Sequence, residues 1–302
     1  MNTRHWLKAF RLRTLPLALS CIAMGGFLAH KARAFRWDIF LLCILTTIFL
    51  QILSNLANDY GDAVHGADSV SRKGPSRAVQ SGVIPPRQMR MAIIIFGLLS
   101  LVAGMVLLFV SFGLDWSAIF FFLALGLLSI GAAVTYTIGR RPYGYLGLGD
   151  LSVLIFFGLV GVMGSYYLFT KIISWYEVLP ALSMGLLSIA VLNINNIRDI
   201  ESDKLAGKYS IPVRLGRKKA IAYHWMLLGS AVFFAFIYTV LKFHSPAQFI
   251  FLIALPLFVK NGVAVSRKQP EFLDPYLKQM ALSTLLFVLL FGAGLVVSNN
   301  PL

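Results

Sequence analysis

The fold class that this sequence predicts is all-α, a polytopic membrane protein with nine transmembrane helices, and three observations predict it. The 302 residues are 58% hydrophobic and only 13% charged, with a mean hydropathy of +0.77, whereas a water-facing chain of this size carries roughly a quarter charged residues. Twenty-four Phe and nine Met would leave large apolar patches in water. The charges collect between long apolar runs, and a helix of about 20 residues is what crosses hydrocarbon with every backbone group satisfied.

In chain order, the first uncharged or nearly uncharged run is 14–30, short for a span and preceded by Arg4, Lys8, Arg11 and Arg13. A basic start and the Ala32-Arg33-Ala34 stretch are features of an export signal, but Lys31, Arg33 and Arg36 directly after the run oppose export. The run 39–58 ends in a group of Asn and Asp. A polar loop with Gly and Pro, about 59–90, leads to runs 91–114 and 116–139, then 151–170 and 178–197. A second polar loop, about 198–219, precedes runs 220–241, 243–259 (also short) and 279–298. The two long loops are where chemistry is expected, within one domain spanning 1–302. Cys21 and Cys43 lie inside apolar runs, so both read as packing residues rather than a disulfide or thiolate site.

Basic residues resist translocation, and 22 of the 27 Lys and Arg fall on one side of the alternating runs, against five (Lys31, Arg33, Arg36, Lys171, Lys242) on the other. The consistent topology has the N-terminus in the cytoplasm and the C-terminus outside. The net charge of +15 therefore reflects topology plus attraction to anionic headgroups or an anionic substrate, not nucleic-acid binding.

Acids are scarce, twelve in all, and six of them fall in two short clusters, each at the cytoplasmic end of an apolar run. The first reads Asn55-Leu-Ala-Asn58-Asp59-Tyr-Gly-Asp62, with Asp68 further on; the second reads Asn195-Asn196-Ile-Arg198-Asp199-Ile-Glu201-Ser-Asp203. At about 100° per residue, Asn55, Asn58, Asp59 and Asp62 share one helical arc, as do Asn195, Asn196, Asp199 and Asp203, while Glu201 points elsewhere. Carboxylates gathered on one face near lipid repel one another unless a cation sits between them. Oxygen donors without His or Cys indicate a hard cation, Mg2+, held by a few carboxylates, water and substrate phosphate. Two such faces suggest two ions gripping one phosphorylated ligand, with Arg72, Lys73, Arg77, Lys204 and Lys208 suited to its phosphate oxygens. The alternative use of these acids is in salt bridges with the loop bases. A transporter would place acids near the bilayer midplane on broken helices, whereas these sit at helix ends. The five His show no metal or relay spacing, and no serine-hydrolase elbow, Walker loop or dinucleotide fingerprint occurs.

These residues carry a resemblance to the UbiA-type intramembrane prenyltransferases. It runs nearly end to end, through Arg13-Thr-Leu-Pro16, Gln51 to Asp62, Tyr136-Thr-Ile-Gly-Arg-Arg-Pro-Tyr-Gly-Tyr145, Gly147-Leu-Gly-Asp150 and Val191 to Asp199. In the family's first motif Asn58 and Asp62 fit, but Gly66 stands where the next Asp belongs, so a two-residue insertion leaves Asp68 as its replacement. The second motif, Asp199 with Asp203, fits without adjustment, and Arg77 and Lys208 occupy the family's diphosphate-binding positions. The resemblance and the helical arcs together give an expected metal set of Asn58, Asp59, Asp62, Asp68, Asn196, Asp199 and Asp203, with Asn58, Asp62, Asp199 and Asp203 catalytic. Substrate contacts are expected from Arg13, Asn55, Arg72, Lys73, Arg77, Lys204 and Lys208. The two motif regions also resemble each other, a hint of internal duplication.

The implied activity is Mg2+-dependent transfer of a polyprenyl group from polyprenyl diphosphate to 1,4-dihydroxy-2-naphthoate, with decarboxylation, giving demethylmenaquinone at the cytoplasmic face of the cell membrane. Arg140 or Arg141 would meet the acceptor carboxylate, and Tyr143 with Asp150 its hydroxyls, unless Asp150 pairs with Arg141. Another aromatic acceptor, 4-hydroxybenzoate or a chlorin or haem ring, is the sibling alternative, because the metal motifs do not see the acceptor.

Overall fold

The computed structural model describes residues 3–66, 74 and 77–299. Among them no β-strand occurs, and nine helical stretches are long and apolar enough to span a membrane. Their outer faces are apolar. Along one side of a single helix, Met91, Ile94, Ile95, Leu98 and Val102 are all exposed at helical spacing, the inverse of a soluble helix.

The first span joins α1 (Thr3–Phe10) to α2 (Leu15–Lys31) through a 3-10 turn at Leu12–Thr14. Arg11 takes a left-handed conformation at this joint. α3 (Trp37–Val64) has 28 residues, about 42 Å at 1.5 Å per residue against a hydrocarbon core of about 30 Å. Its last turns, which carry the first Asn/Asp group, therefore rise beyond the apolar layer. α4 (Pro86–Phe112) and α5 (Trp116–Thr135) follow, α5 so peripheral that Ile119 is its one buried residue. The fifth span combines α6 (Gly149–Val153), a π-helical stretch (Leu154–Gly164) and α7 (Ser165–Thr170). α8 (Val178–Arg198), the most buried helix, continues into α9 (Ile200–Leu205). α10 (Ile211–Leu241) contains a non-helical Gly216, and a 3-10 stretch (Pro246–Ala254) leads into α11 (Leu255–Arg267) before α12 (Asp274–Asn299) closes the bundle.

Several helices outrun the apolar runs that announce them, because a helix continues past the lipid boundary where charges are tolerated. α11 extends to Arg267 rather than 259, and α3 to Val64 rather than 58. The fourth span is the reverse case, ending at Thr135 instead of 139 as the chain turns into the loop carrying Tyr143 and Tyr145. The main core gathers on α8, with α2, α10 and α12 around it, and a smaller one joins α1, α3 and α4. Cys21 and Cys43 are buried free thiols within the main core, as packing residues should be.

Candidate active site

The first Asn/Asp group lies on the last turns of α3. A Cβ at Gly61 would stand 2.5 Å from the carbonyl and hydroxyl oxygens of Thr137, so only glycine lets the 136–148 loop approach this closely. Thr137 Oγ1 donates to the Ala57 carbonyl at 3.0 Å and to Asn58 Oδ1 at 3.3 Å. The loop so anchored delivers Tyr145, whose hydroxyl donates to Asp62 Oδ1 at 2.9 Å. The other oxygen of Asp62 pairs with Arg77 at 2.6 Å, and the same guanidinium nitrogen donates to the Asn58 carbonyl.

Asp59 departs from the expected ligand set. Its two oxygens accept the backbone N–H groups of Ala78 and Val79, each at 3.1 Å. It therefore fastens the chain just after Arg77 and aims that guanidinium at Asp62.

The second group sits where α8 passes into α9. Asp203 N–H donates to the Asp199 carbonyl at 2.8 Å and Asp199 N–H to that of Asn195 at 3.1 Å, so Asn195, Asp199 and Asp203 follow one another turn by turn. Asp203 is buried and Glu201 exposed. Lys208 Nζ lies 3.6 Å from Asp203 Oδ1 and 5.7 Å from the centre of the Tyr145 ring. Tyr145 thus joins the halves, with its hydroxyl on Asp62 and its ring beside the ammonium that meets Asp203. The two loops are tied together as well: Tyr209 N–H donates to the Tyr145 carbonyl at 2.9 Å, and Arg214 donates to the carbonyls of Tyr209 and Leu146.

Burial pushes the Asp203 carboxyl up to about 6, with Asp199 and Asp62 adding to the rise against the pull of Lys208. Burial alone would favour a neutral Lys208, but Asp62 and Asp203 outweigh it and hold the ammonium above the ordinary lysine range. Burial likewise raises the Tyr136 hydroxyl to about 12 and drives that of Tyr145 higher still, with Asp62 reinforcing it.

Two buried acceptors here, Asp203 Oδ2 and Asn196 Oδ1, find no hydrogen-bond partner among the described residues. An orphaned buried oxygen carries a desolvation cost that a cation would relieve. The donor set fits Mg2+, which binds through oxygen and completes its octahedron with water and phosphate. Among the described residues no three Asp, Glu, His or Cys side chains form a ready-made metal cage.

Arg198, fully buried, fixes the remaining carboxylate. Its Nε and one terminal nitrogen donate to the two oxygens of Asp199 at 2.9 and 2.7 Å, and it also reaches Asn195 Oδ1 at 2.8 Å. Its other terminal nitrogen meets Asp274 Oδ1 at 2.7 Å, while Asp274 Oδ2 takes Arg13 at 2.6 Å. Arg13 is therefore engaged by α12, not aimed at a substrate. Groups that orient a metal ligand are typically worth 10–100-fold in metal affinity or activity. Asp274→Ala is accordingly expected to raise the Mg2+ concentration for half-maximal turnover roughly tenfold. Unchanged Mg2+ dependence in a titration would leave this network a purely structural role.

Below the carboxylates a cavity of about 280 Å3 descends from Asn55, Asn58 and Tyr136 between α2, α3, α5 and the π-helical stretch, past Phe156, Phe157 and Val160. Asn55 lines it, but its amide nitrogen donates to the Phe10 carbonyl at 2.9 Å and Thr14 Oγ1 at 3.0 Å, which makes it chiefly a brace for the α1–α2 joint. Tyr143 lines it too, its hydroxyl bonded to the Ala132 carbonyl and Ser152. Asp150 accepts from Tyr223 at 2.8 Å and is not among the lining residues, so it pairs with neither Arg141 nor the cavity. Arg140, Arg141 and Lys204 are exposed. Asp68, Arg72 and Lys73 lie outside the described residues. Tyr145, Arg198 and Asp274 are additions to the sequence reading. The first two lie inside the quoted motifs, and Arg198 was legible as a lone charge at the end of an apolar run; nothing in the sequence singles out Asp274.

The UbiA prenyltransferase family model matches residues 18–285. The 1,4-dihydroxy-2-naphthoate octaprenyltransferase of Escherichia coli (strain K12) is 46% identical over 301 residues, covering 99% of this chain and 97% of that protein. Its Haemophilus influenzae counterpart is 44% identical over 297 residues, 97% of this chain and 96% of the relative. Among solved structures, an apo UbiA homolog from Aeropyrum pernix K1 aligns with a TM-score of 0.67 at 20% identity, over 95% of this chain and 98% of that one. A UbiA homolog from Archaeoglobus fulgidus bound to GPP and Mg2+ aligns at 0.66 and 16% identity, over 97% and 99%.

Proposed function

The chain belongs to the UbiA prenyltransferase family, and from that premise we propose that it transfers a polyprenyl group from polyprenyl diphosphate to 1,4-dihydroxy-2-naphthoate, with loss of carbon dioxide, in menaquinone biosynthesis. Full-length identity of 44–46% to proteins named for that acceptor carries the reading. The site geometry supports it, since acids from both motifs meet around Lys208 and Tyr145 above an apolar cavity.

In this reading Asp62, Asp199 and Asp203, with Asn58 and Asn196, would hold two Mg2+ ions. When bound, Mg2+ neutralises charge developing on the departing diphosphate. Lys208 and Arg77 add fixed positive charge beside those oxygens in a site that burial keeps at low dielectric. Phe156 and Phe157 wall the cavity where the allylic carbon would lie, excluding water and offering ring faces to a cation. The acceptor is already an electron-rich ring, so no strong base is required. Its carbon bearing the carboxylate forms the new C–C bond, carbon dioxide leaves, and the electron pair of the broken bond returns to the ring, giving a quinol that is oxidised afterwards. The excess of bases on one side of the spans supports a cytoplasm-facing site.

The raised Asp203 carboxyl gives a pH dependence. Metal competes with the proton on a ligand, so Mg2+ affinity should hold above pH 6 and fall by up to about tenfold per unit below it. An Mg2+ titration at pH 5, 6 and 7 checks this; constant affinity would remove Asp203 from the ligand set. The function itself is tested with purified protein, a polyprenyl diphosphate, and naphthoate or benzoate acceptors, with and without chelator. Product from naphthoate alone, and only with metal, is the expected result, while prenylated 4-hydroxybenzoate would reassign the acceptor.

A further inference from the structure

The cavity below Asn58 does not stop at mid-membrane. Five of its lining residues, Ile22, Thr47, Leu50, Ser129 and Val160, also line a second cavity of about 150 Å3. This one lies among α3, α4, α5 and the π-helical stretch and reaches Cys43, close to the start of α3. From Asn58 to Cys43 the pair follows α3 for about 22 Å at 1.5 Å per residue. Among the described residues, no charged side chain lines either cavity.

Four glycines line the second cavity, and one of them, Gly161, is crowded, since a Cβ there would stand 2.9 Å from the Cys21 Cβ; the other three are Gly104 on α4, Gly126 on α5 and Gly164 at the end of the π-helical stretch. Glycine inside a helix costs about 1 kcal/mol relative to alanine, and elsewhere in this bundle close packing explains it. A Cβ at Gly292 would stand 2.1 Å from the Phe27 ring, and one at Gly262 would stand 2.5 Å from Trp225. At Gly126, in contrast, a Cβ would meet nothing within 4 Å among the described residues, and at Gly104 and Gly164 it would meet side-chain atoms of Thr46 and Val160 at 3.9 and 3.8 Å. None of the three has positive φ. Open space alone is not distinctive, since Gly97, Gly131 and Gly229 are equally uncrowded, but those line neither cavity. The distinguishing feature is a second chamber, continuous with the headgroup site, whose walls are kept low where neither packing nor backbone conformation demands it.

We propose that this second cavity binds the distal isoprene units of the prenyl donor, and that Gly104 and Gly126 set the chain length the enzyme accepts. The proposal rests on the prenyl-transfer reading above. A long apolar chain whose head is held at the carboxylates has this uncharged passage directly below it. A membrane lipid, the other apolar chain at hand, would have no reason to share walls with the diphosphate end.

The test uses full-length Gly104→Leu, Gly126→Leu and the double variant, leucine being a good helix former. With 1,4-dihydroxy-2-naphthoate as acceptor, kcat/KM is measured for geranyl and octaprenyl diphosphate. The long-to-short ratio should fall roughly tenfold or more in each single variant and further in the double, the usual effect of filling an apolar subsite, with the geranyl rate near wild type. That geranyl rate is each variant's folding control. An unchanged ratio, or equal loss with both donors in both single variants, would overturn the proposal and leave the chamber to lipid. Wild-type protein inactive with both donors would instead defeat the prenyl-transfer reading.

Discussion

Asp199→Asn should reduce turnover by roughly a thousandfold or more while the protein still inserts and folds. The substitution keeps the shape of the side chain and removes the charge that two functions require. Asp199 presents both oxygens to Arg198 and, in the proposed site, its negative charge to Mg2+. Loss of one group stabilising transition-state charge typically costs about 10²–10³, and a missing metal ligand adds to that. Folding should survive because Arg198 retains Asp274 at 2.7 Å and Asn195 at 2.8 Å. Turnover is measured beside the elution profile of the detergent-solubilised protein. A normal rate from a normally eluting variant would eliminate the metal role of this carboxylate.

Lys208→Met should be nearly as severe, with the loss concentrated in the donor. The side chain keeps much of its length but no longer offsets Asp62 and Asp203 or meets the diphosphate. A fall of about 10²–10³ in kcat/KM for polyprenyl diphosphate is expected, with the acceptor KM little changed. The same change removes the cation that holds the Asp203 carboxyl down, so the acid limb of the pH profile should move to higher pH. An unmoved limb together with an unchanged donor KM would place Lys208 outside the site.

The chemistry was legible in the sequence where it coincides with exceptions to lipid solubility. Carboxylates are costly near hydrocarbon, so two clusters of them at the ends of apolar runs stand out, and the helical arc groups Asp62 with Asn58 and Asp199 with Asp203. The nine spans were legible for the same reason, although hydropathy marks only their lipid-embedded part. What was not legible is which polar groups pair across the bundle. Arg13 meets Asp274 across 261 positions of sequence, and Tyr145 meets Asp62 across 83; no local period encodes such contacts. Asp59 and Asp62 share an arc, yet one binds backbone and the other the site, because the returning chain at Ala78 and Val79 claims the nearer carboxylate. The π-helical stretch left no trace either, since uniformly apolar residues satisfy either helical pitch equally well.

The convergence of α3 and α9 on one headgroup can be tested by Mn2+ binding, followed by electron paramagnetic resonance in the presence of an unreactive prenyl thiodiphosphate. If both carboxylate groups hold one metal–diphosphate unit, Asp62→Asn and Asp199→Asn should each abolish the thiodiphosphate-dependent Mn2+ signal. Retention of the full signal in either variant would mean that the two groups do not serve the same headgroup, contrary to the account given above.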